Sequence, residues 1–331
     1  MNLLILGATG MLGQQAARAA AVAGHELTLA YRDPKTLSRF EGLKHRAVRV
    51  DLDDMASLTA ALDGVDSVLH AAAPYPTQPR PWQAEVAAGL ERMQSFYRVC
   101  ESRPLHRIVY LGGAIALQRR ADGAPGDETC EYAGTPPNRN PYVQLKWALD
   151  EQAKAQARAG LPVCIGIPTM TFGEYDYGPT TGRLLLMLAK GQLPRYVRGQ
   201  RNVVYGGDAG RGLVAVCERG RVGERYLLTG ENTDMDALTA LMAEIAGMPA
   251  PQPVALPIVR AVNAVQTLRW RLGGALPTVD ATAIAVMSAG QHLSGAKALR
   301  ELGFSRTVSL REALERALAW FRQVGYLPSP P

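Results

Sequence analysis

Apolar positions along the chain fall into two rhythms. Short runs rich in Leu, Ile and Val recur at residues 3–6, 26–31, 47–50, 67–70, 107–111 and 163–167. Each has the length of a buried strand, and the segments between them carry apolar residues at three- and four-residue spacing, the period of a helix. Residues 83–100, with Val86, Leu90, Met93, Phe96 and Tyr97, form one such helix, and Pro141 with Tyr142 opens another that ends near Gly160. Strand and helix alternating in this way predict an α/β chain built on a doubly wound parallel sheet covered on both faces. After Pro168 the texture changes to Gly- and Pro-rich loops, a short helix over 182–190, a break at "PAPQPVALP" and a last amphipathic helix over 310–324. The division expected is a first domain over 1–170 and a smaller, mixed substrate domain over 171–331, with residues 203–230 as a stretch that returns to the first.

Composition agrees with a folded chain of about two domains. The 331 residues are 47% hydrophobic, and their order holds neither a repeat nor a low-complexity tract. The formal net charge of +6 comes from scattered Arg, with only six Lys, so it does not read as a nucleic-acid module. The run Arg195, Arg198, Arg201 is either a solvated face or an attractor of an anionic ligand. Cys100, Cys130, Cys164 and Cys217 are widely spaced without a C-x-x-C pair, which predicts neither disulfide nor metal. No apolar run approaches the roughly 18 residues of a membrane span, so a soluble, cytoplasmic protein with no membrane or nucleic-acid partner is expected.

Candidate chemistry begins at the first strand. It runs into "GATGMLG", where Gly7, Gly10 and Gly13, together with Thr9, Met11 and Leu12, form a turn that leads into a helix over 11–23. Such glycines admit backbone to a pyrophosphate, and the helix N-terminus offers free N–H groups and a positive dipole end. At the end of the second strand, "YRDPK" sets two residues in competition. Asp33, twenty residues past Gly13, has the spacing of a carboxylate for a ribose 2′-hydroxyl, whereas Arg32, with Lys35 nearby, suits a 2′-phosphate and favours NADP over NAD. In "VDLDD", Asp51 and Leu52 are placed beside the adenine, while Asp53 and Asp54 could equally cap a helix. Tyr142 and Lys146 in "NPYVQLKW" share one helix face, where an ammonium near a phenol stabilises phenolate and fits the Tyr for proton exchange with a hydroxyl or carbonyl.

"GATGMLG", "VDLDD", "HAAA", "NPYVQLK" and "GPTTGR", in this order, resemble the extended short-chain dehydrogenase/reductases, or NAD-dependent epimerase/dehydratase family. The likeness is greatest to its dihydroflavonol reductase-like and hopanoid-associated sugar epimerase-like branch. It covers nearly the whole chain, since "GQRNVVYGGDAGRG" and "GERYLLTGEN" match later segments of that branch. The resemblance implies a Rossmann domain binding NAD(P), with Tyr142 as acid/base and Lys146 on the nicotinamide ribose. It places Ala71, Ala72 and Ala73 beside the cofactor, and Pro168 and Met170 beside the nicotinamide. Tyr75, Thr171, Arg183, Tyr196 and Asn202 become substrate candidates. It also implies a homodimer in which helices 83–100 and 141–159 bury apolar outer faces against their copies.

Two departures stand out. The family commonly has Ser or Thr at the position of Gly113 in "RIVYLGGAIAL", where the hydroxyl joins the Tyr in holding the reacting oxygen; and the Arg before the proline of the sixth-strand motif is Ile167. Two readings follow. One is an NAD(P)-dependent reductase or epimerase-like enzyme acting on a carbonyl or sugar-like substrate, and the other is a cofactor-binding redox sensor with little turnover.

Overall fold

The computed structural model describes residues 1–72, 81–277 and 281–328. Twelve strands are present among them: β1 (Asn2–Leu6), β2 (Glu26–Tyr31), β3 (Arg46–Arg49), β4 (Ser67–His70), β5 (Arg107–Leu111), β6 (Val163–Pro168), β7 (Met170–Phe172), β8 (Arg195–Tyr196), β9 (Gln200–Tyr205), β10 (Arg225–Leu228), β11 (Glu231–Asp234) and β12 (Gln252–Pro253). The helices are α1 (Met11–Val22), α2 (Met55–Ala61), α3 (Trp82–Glu101), α4 (Pro141–Arg158), α5 (Gly182–Ala189), α6 (Gly206–Arg219), α7 (Met235–Ala246), α8 (Leu256–Arg271), α9 (Ala281–Ser288), α10 (Ala296–Leu302) and α11 (Leu310–Gln323).

Seven strands form one parallel sheet in the order β10-β6-β5-β4-β1-β2-β3. The order reverses beside β1, so the crevice of this doubly wound sheet opens between β1 and β4, where such folds hold their ligands. The central strands are apolar on both faces because both are covered. Val68, Ile108, Ile165 and Ile167 pack with Phe96, Tyr97, Leu145 and Leu149 of α3 and α4, while Leu3, Ile5, Leu69 and Val109 pack with Ala16, Ala17, Leu213 and Val216 of α1 and α6. Helix α6 reaches α1 because Gly210 has no side chain; a Cβ there would stand 2.5 Å from the Gln15 carbonyl.

A smaller layer joins β11, β9 and β7 and packs Phe172, Leu185, Leu238, Met242, Leu314, Trp320 and Phe321 into its own core. Helix α6 and β10 belong to the main layer, and so do Ala298, Leu302 and Phe304 of the late segment, whose apolar side chains complete the core behind α6. Helix α8 was not legible in the sequence. It starts at the Pro-rich break, and its apolar residues do not face a core.

No large apolar side chain of α3 or α4 is exposed, because Val86, Leu90, Met93, Phe96 and Tyr97 turn inward onto the sheet and α4. What the two helices share is a close seam, where a Cβ on Gly89 would lie 2.3 Å from Leu145 Cδ1 and where the Gln152 amide donates to the Leu90 carbonyl at 3.1 Å.

Two buried polar groups shape this side of the sheet. Arg225 of β10 grips fully buried Asp150 of α4, its Nε donating to Oδ2 at 2.9 Å and its Nη2 to the same oxygen, while Nη1 donates to Glu131 and the Glu128 carbonyl. His70, at the end of β4, stands edge-on to Phe96 with ring centroids 4.7 Å apart, and neither ring nitrogen has a hydrogen-bond partner. Burial therefore lowers its pKa from 6.5 to about 4, with the nearby Lys146 charge adding to the effect. The unfolded chain takes up this proton first, so stability present above pH 6.5 is lost as the pH falls through 4, a contribution of about 3 kcal/mol. His70→Phe keeps a ring against Phe96 and removes the proton. Urea midpoints of the two proteins should diverge in the variant's favour between pH 6.5 and 4, whereas parallel curves would show that His70 does not titrate in this way.

Candidate active site

The glycine turn is built by close approach. Gly7 has φ +81°, and a Cβ there would lie 2.8 Å from the backbone of Ala71 and Ala72; one on Gly13 would lie 2.2 Å from the Gly7 carbonyl oxygen. The end of β1, the first turn of α1 and the residues after β4 therefore meet as bare backbone. Gly10 is exposed and extended, and no side chain caps α1. The first N–H groups of that helix have no acceptor within it and carry the positive dipole end, which fits a pyrophosphate. Side-chain donors hold the turn from behind: Gln14 Nε2 donates to the Ala8 carbonyl at 3.0 Å, and Arg39 Nη1 to the Thr9 carbonyl at 2.9 Å.

Arg32 and Lys35 are both exposed just past β2. The Asp33 carboxylate accepts from Lys35 N at 3.0 Å and so caps the 3-10 turn Pro34–Phe40. Arg39 is a site residue the sequence reading missed. It lies on the same turn as Lys35 and stacks 4.3 Å from the Tyr177 ring, but only the fold brings it back to Thr9. The acids of "VDLDD" have separate duties. Asp54 caps α2 through Ala56 N at 2.9 Å, Asp53 pairs with Arg92 at 2.6 and 3.1 Å, and Asp51, exposed beside half-buried Leu52, accepts from Asp53 N. Ala73 and Tyr75 lie outside the described residues.

Helix α4 starts where Asn140 Oδ1 accepts from Tyr142 N at 3.0 Å, with Pro141 in the first turn. The "NP" before the Tyr is the sequence signal for that start. One turn further on, Lys146 is only 5% exposed, and its Nζ donates to the Leu111 carbonyl at 3.3 Å at the end of β5. Burial brings its pKa down from 10.5 to about 8, opposed by the charge of Asp150. The two glycines after β5 have different reasons to exist. A Cβ on Gly112 would press to 2.9 Å from Ile165 and 3.0 Å from Ile167, whereas one on Gly113 would make ordinary contact, 3.5 Å from Lys146 Cδ. Gly113 is extended, with φ −146°, so neither backbone nor packing requires a glycine there. Ile167 is fully buried against Gly112 and belongs to the core.

Buried Pro168 ends β6 and half-buried Met170 opens β7, so the chain passes there from the main sheet into the smaller one. Three of the residues expected to meet substrate are engaged elsewhere. Thr171 donates to the Thr169 carbonyl at 2.9 Å, and the Tyr196 hydroxyl to Asp236 at 2.7 Å. Asn202 accepts from Thr169 Oγ1 and Gly230 N and donates to Asn232, so it is a strut between β9 and its neighbours. Each is buried, and a buried polar group must be satisfied internally where water cannot reach it. Arg183 is exposed on α5 in a cleft with Leu186, Met187 and Lys190. The basic run is also divided: Arg195 is exposed, Arg198 pairs with Asp236 at 3.1 Å, and Arg201 is buried with its guanidinium donating to the Gln200 and Met287 carbonyls.

Residues 3–228 match the model of the NAD dependent epimerase/dehydratase family. A solved structure described as a nucleoside-diphosphate-sugar epimerase from Pseudomonas aeruginosa is 43% identical, with a TM-score of 0.86 and 99% of both chains covered. Sterol demethylase protein B of Methylococcus capsulatus is 26% identical over 99% of this chain and 100% of its own length. Cinnamoyl-CoA reductase 1 of Oryza sativa is 26% identical over 73% of this chain and 75% of its own. With the glycine turn at the switch point of a seven-stranded parallel sheet and a Tyr-x-x-x-Lys helix beside it, the chain belongs to the NAD-dependent epimerase/dehydratase family of extended short-chain dehydrogenase/reductases.

Proposed function

We propose that the chain is an NADP(H)-dependent oxidoreductase acting on a carbonyl or alcohol carbon of a largely apolar substrate, with Tyr142 as acid/base. The observation that carries this reading is the buried Lys146 ammonium, fixed at the end of β5 one helical turn from Tyr142. The nicotinamide, when bound, supplies or accepts the hydride. Gly7, Gly10, Gly13 and the first turn of α1 would take the pyrophosphate, and exposed Arg32 and Lys35, with Arg39 at the turn, favour a 2′-phosphate. Tyr142 as the phenol gives its proton to a carbonyl oxygen and is left as a phenolate that charged Lys146 stabilises, and in the reverse direction that phenolate takes a proton from a hydroxyl. Gly113 offers no second hydroxyl to that oxygen.

Two features support an apolar substrate over a nucleotide-sugar. Buried Arg201 spends its donors on backbone carbonyls, and core Ile167 supplies no guanidinium where the resemblance expects an Arg. The names sterol demethylase protein B and cinnamoyl-CoA reductase 1 agree with this, while the name of the Pseudomonas relative favours a sugar nucleotide. The missing hydroxyl at Gly113 favours a second reading, a redox sensor that binds the cofactor with little turnover.

A screen of apolar ketones and nucleotide-sugars for NADPH oxidation decides among these. Turnover of ketones supports the proposal, turnover of sugar nucleotides alone replaces it with the epimerase reading, and tight NADPH binding without turnover supports the sensor. In an active protein, Tyr142→Phe should abolish turnover and leave cofactor affinity unchanged. Gly113→Ser should raise turnover several-fold at constant NADPH affinity, since one donor to a reacting oxygen is worth about 3 kcal/mol when well placed; a fall would mean that substrate packs on the bare backbone. Arg32→Ala should weaken NADPH binding by about one to two decades and leave NADH nearly untouched. Equal affinities for the two cofactors in the unmodified chain would remove the basis for NADP.

A further inference from the structure

Helix α8 carries an apolar stripe on its outer face. None of its residues is fully buried. Its half-buried positions are Leu256, Val259, Asn263, Gln266, Thr267 and Trp270, while Ile258, Val262, Val265 and Leu268, with Leu272 just past the helix end, point outward at three- and four-residue spacing, 41 to 80% exposed. Leu276 continues the stripe past the helix end. Six of the thirteen exposed large apolar side chains among the described residues fall in this one segment, so the stripe is a patch and not scattered exposure. An amphipathic surface helix ordinarily directs such a stripe at its own core.

Charge says what covers it. Residues 245–279 contain three Arg, at 260, 269 and 271, and no Asp, Glu or Lys. We propose that α8 lies on an anionic lipid surface, its Ile, Val and Leu stripe set into the acyl boundary and its three arginines among the headgroup phosphates. Both halves of the pattern are then satisfied at once. Arg269 lies within the stripe, and its aliphatic stem lets the guanidinium reach the headgroups. A second copy of the chain satisfies only one half, because a two-fold contact through α8 brings two acid-free sets of arginines together. The helix has 16 residues, and no helix among the described residues is long and apolar enough to cross a membrane, so α8 rests on the surface without spanning. Helix α8 is also linked to the site through α9. Helix α8 packs on α9, whose Thr282 hydroxyl accepts from the Asn140 side chain, the cap of the Tyr142 helix, at 3.5 Å.

The test uses the full chain, with vesicles of phosphatidylcholine alone or mixed with phosphatidylglycerol, read by flotation. The protein should float with the mixed vesicles and be released by high salt. Val265→Asp with Leu272→Asp, both at exposed positions, should lower partitioning at least tenfold without changing the circular dichroism spectrum or NADPH affinity. Arg260→Gln with Arg271→Gln should reduce the preference for the anionic mixture. No flotation, or flotation that the Asp pair leaves unchanged, would overturn the proposal. So would a dimer by light scattering that the Asp pair converts to monomer, because the stripe would then belong to a second copy. None of these readouts depends on catalysis, so the outcome is separate from that of the substrate screen.

Discussion

The absence of a β-carbon at Gly7, Gly13 and Gly210 is the constraint on which the rest of this molecule hangs. With it, β1, the residues after β4, α1 and α6 approach at backbone contact; with an alanine at Gly13, Cβ and the Gly7 carbonyl would be 2.2 Å apart. Such an overlap cannot be relieved by a rotamer change, because every atom involved is main chain. The same approach leaves the N-terminus of α1 uncovered at the switch point of the sheet. Packing and ligand binding thus have one cause.

Helix α4 carries a second burden, a charge inside the protein. Lys146 and Asp150 lie one turn apart, both buried, and Asp150 is held by Arg225 from the edge strand β10. Removing Arg225 would leave a carboxylate whose pKa burial already raises. The pair ties the helix that bears Tyr142 to the far edge of the sheet, and the Leu111 carbonyl then fixes the Lys146 ammonium. The two glycines beside it show how differently one residue type can arise. Gly112 is demanded by the side chains of β6, whereas Gly113 has room for a side chain and lacks one.

The main sheet was legible in the sequence because its strands are continuous apolar runs separated by periodic helices, and because a glycine turn, an Asn-Pro cap and a Tyr-x-x-x-Lys spacing are local signals. Residues of the smaller layer were not. Thr171, Tyr196 and Asn202 are polar residues in plausible places, and nothing local to them records that Thr169, Asp236, Gly230 and Asn232 would engage their hydrogen-bonding groups.

The sequence by itself determined the first six strands with the helices between them, their parallel arrangement and the chemistry of the glycine turn and the Tyr142 helix, since each follows from period, spacing and residue type within one segment. Tertiary structure alone decided the rest. It brought Arg39 back to Thr9, sent residues 296–304 to the main layer, placed arginine between Asp150 and Glu131, and left the apolar face of α8 without a core to cover. The physical reason is common to all four. Burial and hydrogen-bond partnership are properties of pairs of surfaces, and which surfaces meet depends on segments far apart in the chain.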